Sequence, residues 1–145
     1  MFNHSLCINV GLPPGALAMS SPGDASHFFN TERFPSLTRN ADWCLLGVPR
    51  LQEILRGALT PEMKRALLLK RDFTGFPPVR VVLGSSDMLL DHGIALGKVL
   101  QVHNADRVVD VRPGGWHCSM RGFVVVPESR TAIAEAASWL RSIVL

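Results

Sequence analysis

No apolar run in this 145-residue chain approaches about 18 residues, so a membrane-spanning helix is not expected. The opening Met1-Phe2-Asn3-His4-Ser5 lacks the basic start and long apolar stretch of a secretory signal. Cysteine is scarce and odd in number. Cys7, Cys44 and Cys118 stand far apart, which fits a reducing compartment better than a disulfide framework, so a cytoplasmic location is expected. His4, His27, His92, His103 and His117 form no ligand spacing with those cysteines, so no metal is expected. No Gly-x-Gly-x-x-Gly fingerprint occurs, Gly114-Gly115 included, and no cofactor is expected. Charge of one sign is slight, with a net +3. Lys64, Arg65, Lys70 and Arg71 flank the apolar run 66–69 without interleaved aromatics. That pattern predicts a solvated helix face and no nucleic-acid partner.

What is present suits one folded domain over 1–145. The chain is 47% hydrophobic and 19% charged, which argues against wholesale disorder. Residues 1–14 read as an irregular lead-in ending in Gly11-Leu12-Pro13-Pro14. Ala16 to Ser20 reads as a short buried strand, stopped by Ser21-Pro22-Gly23-Asp24. Residues 24–48 form a long excursion without a repeat. Pro49, with Leu51, Ile54, Leu55 and Ala58 at helical spacing, predicts a helix. Thr60-Pro61-Glu62 opens a second one reaching about Leu69.

The later part is more regular. Val79 to Leu83 is a β-branched strand, followed by the loop Gly84-Ser85-Ser86-Asp87. A helix over 91–103 places Leu96, Val99, Leu100 and His103 on one stripe. Arg107 to Val111 is the next strand, with Pro113-Gly114-Gly115-Trp116-His117 beyond it. The last helix, about 128–144, turns Ile133, Ala136, Ala137, Leu140 and Val144 inward. The alternation predicts an α/β fold with three parallel strands, crossover helices and an N-terminal excursion.

In open parallel sheets, ligands bind beyond the carboxyl ends of the strands. Asp87 and His117 both stand there, on consecutive loops and in the chain order of a hydrolase acid and base. An aspartate on one imidazole nitrogen fixes the tautomer and leaves the other nitrogen to take a nucleophile's proton. The same residues also allow a plainer arrangement, with Asp87 capping the helix after it and His117 packed on Trp116. Cys118 is a second nucleophile candidate, although neighbouring loop side chains seldom face each other productively. His92 is expected to face solvent and His103 to be half-buried. Trp43, Phe28, Phe29 and Phe34 line an acyl pocket or cap, or fill a small core.

Gly84-Ser85-Ser86-Asp87-Met88-Leu89-Leu90-Asp91 resembles the acid loop of the hormone-sensitive-lipase-like esterases of the α/β-hydrolase superfamily, with Met88 where that family usually has proline. Pro113-Gly114-Gly115-Trp116-His117 is similar to its histidine loop, with Cys118-Ser119 in place of the usual Gly-Phe. The stretch Pro14 to Asp24 resembles the strand after the family's nucleophile helix. The resemblance runs from Gly11 to Leu145 and implies the C-terminal half of such a domain, a partial α/β-hydrolase fold. Asp87 would orient His117, the general base, on an ester substrate.

The family also needs a Gly-x-Ser-x-Gly elbow and a His-Gly-Gly oxyanion loop, and neither occurs in these 145 residues. The resemblance therefore implies a truncated domain, inactive alone and completed by an N-terminal half or a partner chain. Its first strand would then be an open apolar edge, suited to self-association or a partner. The alternative is a non-catalytic remnant that binds or dimerises.

Overall fold

The computed structural model describes residues 13–21, 29–44, 47–50, 53, 69, 72–103, 106–122 and 124–144. Three parallel strands form its sheet: β1 (Ala16–Met19), β2 (Val79–Gly84) and β3 (Arg107–Arg112), in spatial order β1-β2-β3. Ala16 pairs with Val79 and Met19 with Val82; Val79 pairs with Arg107 and Gly84 with Arg112. The α/β architecture expected from the alternating pattern is therefore present.

β2 is rich in β-branched residues because it is covered on both faces. Val79, Val81 and Leu83 pack with Phe73, Leu90, Leu96 and Leu100 on one face. Val82 packs with Met120, Ala132 and Ala136 on the other. Two helices supply these layers: α2 (Leu90–Val102) and α3 (Pro127–Val144). α2 sits close to the sheet at Gly93, where an added Cβ would lie 2.2 Å from a Leu83 methyl. α3 begins with proline at a position where its missing N–H costs nothing, followed by Glu128 near the positive end of the dipole. Beside α3, Arg80 of β2 donates to Asp110 of β3 at 2.8 Å, and Arg112 bridges Asp110 and Glu135.

Three expectations need correction. Val144 is 63% exposed, and the face that α3 buries runs through Ser129, Ala132 and Ala136. Ala16 to Met19 is half-buried, with Met19 46% exposed, because β1 is an outer strand of the described sheet. His92 does not face solvent. It is fully buried and stacks on Phe34, with ring centroids 3.7 Å apart. The excursion supplies that ring. Its short helix α1 (Ser36–Arg39) lies in a core of Phe34, Leu37, Cys44, Met88 and Leu89.

The helix expected from Pro49 is helical at 47–50 and 53, and the rest of it lies outside the described residues. So do nearly all of the following helix, the Lys64–Arg71 cluster, the Ser21-Pro22-Gly23-Asp24 turn beyond Ser21, and residues 1–12 of the 1–14 lead-in. No described helix is long and apolar enough to cross a membrane.

Candidate active site

The two loops after β2 and β3 are bonded backbone to backbone. Ser85 N–H donates to Arg112 O and Ser86 N–H to Gly115 O, both at 2.9 Å. Gly114 N–H donates to Ser85 Oγ at 2.8 Å. The loops come so close that a Cβ on Gly84 would stand 2.0 Å from Gly115 O, which is why the strand ends in glycine. Parallel pairing brings both strand ends to one rim, and these bonds join them there.

Asp87 is completely buried. Its Oδ1 accepts Leu89 N–H at 2.8 Å and lies 3.1 Å from His117 Nδ1. The carboxylate therefore closes the local turn and meets the imidazole at once, while α2 has no side-chain cap. A charge-assisted contact of this kind orients the ring and favours a proton on Nδ1, leaving Nε2 as the basic nitrogen. Asp87 Oδ2 has no hydrogen-bond partner among the described residues.

Several residues that position this pair have no signature in the sequence. Asn40, the residue ending α1, donates its side-chain amide to Asp87 O at 2.8 Å and Ser85 O at 3.2 Å. Ser36 Oγ donates to Met88 O at 2.8 Å. Ser20, at the end of β1, accepts Cys118 N–H on its Oγ at 2.9 Å. Ser129 of α3 donates to Ser119 O at 2.7 Å. Small polar residues scattered through loops and helix ends look ordinary until the fold places them beneath a buried carboxylate or a turn.

Cys118 departs from the expectation for loop neighbours. Its backbone is left-handed, with φ 54°, a conformation that glycine holds without strain and that the resemblance expects glycine to hold here. This turn brings Sγ to 3.4 Å from His117 Nε2. Burial, first, and then the negative charge of Asp87 push the thiol pKa above its ordinary value; Ser20 and Arg121 act in the opposite direction.

The aromatics divide. Phe34 is core, whereas Trp43 is 72% exposed and Phe29 is at the surface; Phe28 lies outside the described residues. Trp43 and Trp116, with Ser86 and Gly114, line an open cleft of about 560 Å³ beside the two loops. His103 is half-buried, with Nδ1 3.0 Å from Asp72. Among the described residues no three His, Cys, Asp or Glu side chains gather as a metal-binding group.

No protein-family model matches the sequence, and no curated protein matches it. Solved structures do match. An esterase from the bacterial hormone-sensitive lipase family superposes with a TM-score of 0.79 at 25% identity, over 93% of this chain and 45% of that one. A hormone-sensitive lipase from a metagenome library gives 0.79 at 18% identity, over 94% and 46%. A hyperthermophilic esterase from the archaeon Pyrobaculum calidifontis gives 0.75 at 16%, over 90% and 43%. This chain thus spans less than half the length of each of these enzymes. Its fold is a partial α/β-hydrolase fold that resembles the C-terminal half of hormone-sensitive-lipase-like esterases.

Proposed function

We propose that Asp87 and His117 are the acid and base of a carboxylic-ester-hydrolase centre whose serine elbow and oxyanion loop come from outside these 145 residues. The contact of 3.1 Å between Asp87 Oδ1 and His117 Nδ1, on joined loops at the strand ends, carries this reading. Asp87 would hold the imidazole and stabilise the imidazolium, while His117 Nε2 takes the serine proton and returns it to the leaving alcohol. The open cleft between Trp43 and Trp116 suits the apolar part of a small ester. By itself the chain is expected to show no sustained ester turnover, because the serine nucleophile is missing.

The test is co-expression with an N-terminal half that carries Gly-x-Ser-x-Gly and His-Gly-Gly, assayed on p-nitrophenyl butyrate. Turnover that needs both pieces, and that falls about ten-thousandfold in Asp87→Asn, is expected. Wild-type turnover in Asp87→Asn or in His117→Ala would overturn the proposal.

A second reading is a non-catalytic module that pairs through β1, with itself or a partner chain. It is supported by an apolar groove of about 340 Å³ along that edge, lined by Leu17, Met19, Met120, Ile133, Ala137 and Leu140.

A further inference from the structure

Cys118 is one member of a three-group relay. Its Sγ lies 3.4 Å from His117 Nε2, and Nδ1 of the same ring lies 3.1 Å from Asp87 Oδ1. Thiol, imidazole and carboxylate follow one another as nucleophile, base and orienting acid do in a covalent hydrolase. A cavity of about 90 Å³ opens beside the sulfur, walled by Met19, Ser20, Val82, Gly84 and Met120. Ser20, Ser119 and Arg121 make its polar side and the rest is apolar, and it is small enough to admit only a short chain. The buried Asp87 also keeps Oδ2 without a hydrogen-bond partner among the described residues, so its charge faces little competition when the ring becomes cationic.

We propose that Cys118 is an acyl-accepting thiol, which takes a two- or three-carbon acyl group from an activated ester with His117 as its base. In the step, His117 Nε2 takes the thiol proton as Sγ attacks the ester carbonyl. The sulfur–carbon bond forms, the carbon–oxygen bond to the alcohol breaks, and His117 hands the proton to the departing alkoxide. The products are S-acyl Cys118 and the free alcohol. Burial keeps the sulfur as a thiol at neutral pH, so attack depends on the base. The adjacent amides are already used: Cys118 N–H donates to Ser20 Oγ, and Ser119 N–H to Trp116 O at 3.0 Å. Neither is left for an oxyanion, so acylation needs an activated ester, and water, a poorer nucleophile than the thiol, leaves the thioester in place; the chain accepts one acyl group without turning over. The assignment uses the Asp87–His117 contact but no external serine.

The whole chain is treated with p-nitrophenyl acetate, and each cysteine peptide is weighed over time. About one equivalent of p-nitrophenolate is expected, with the acetyl group on Cys118 ahead of Cys7 and Cys44, and none of this release in Cys118→Ala. Asp87→Asn and His117→Ala, with circular dichroism spectra like the wild type, should each slow acetylation of Cys118 by about a hundredfold. Should His117→Ala fail to fold, Asp87→Asn decides. Acetylation of Cys118 at the rate of the urea-unfolded chain, or at an unchanged rate in Asp87→Asn, would overturn the assignment. Either result leaves the co-expression test standing, because that test reads a serine on the added half.

Discussion

Ser36 and Asp91, fifty-five positions apart, bond to each other in both directions: Ser36 N–H donates to Asp91 Oδ2 at 2.6 Å, and Asp91 N–H donates to Ser36 Oγ at 3.1 Å. The pair locks the start of α1 to the first turn of α2, so the excursion braces the loop that carries Asp87.

Removing the Ser36 hydroxyl leaves Asp91 N–H and Met88 O without their partner in a buried place. Ser36→Ala should lower stability by about 1–3 kcal/mol in urea unfolding. An unchanged midpoint would mean that the excursion does not brace the acid loop.

Gly84→Ala places a methyl 2.0 Å from Gly115 O, where backbone lies on both sides. The two loops must part, at a cost of about 1–3 kcal/mol. The His117 imidazole resonances should move as contact with Asp87 is lost. Unaltered His117 spectra together with wild-type stability would contradict the close approach.

The raised pKa of Cys118 has a definite consequence for stability. A folded-state pKa above the unfolded value means that the native state holds its proton more tightly, first because burial disfavours the thiolate. The associated stability is complete below the ordinary value of 9.0 and is lost as pH rises from there through the raised folded value. The wild type should therefore lose stability relative to Cys118→Ala as pH rises above 9.0. A constant difference across that range would contradict it.

Met19 is 46% exposed on β1 and lines the apolar groove beside it. Light scattering should show mass rising with concentration for the wild type and falling back toward a single chain in Met19→Lys, since charge on an edge strand opposes pairing. A single-chain mass for the wild type at all concentrations would remove self-pairing from the second reading.

Strand positions were legible because the β-branched runs at Val79–Leu83 and Arg107–Val111 stand between strong breakers. Asp87 and His117 were legible as candidates because chain order and strand ends limit where such residues can meet. His92 was not: a polar ring just inside a helix looks solvent-bound until Phe34, from the excursion, covers it. Asn40 and Ser20 were also not legible, since nothing local ties an amide or a hydroxyl to a carbonyl or amide far along the chain.

By itself the sequence determined the alternation of strands and helices, through hydrophobic period and turn residues, and that no Gly-x-Ser-x-Gly occurs within these 145 residues. Only the tertiary structure decided that one imidazole sits between a buried carboxylate and a thiol. Distances of about 3 Å between side chains depend on loop packing and on the backbone angle at Cys118, and neither is encoded by local pattern.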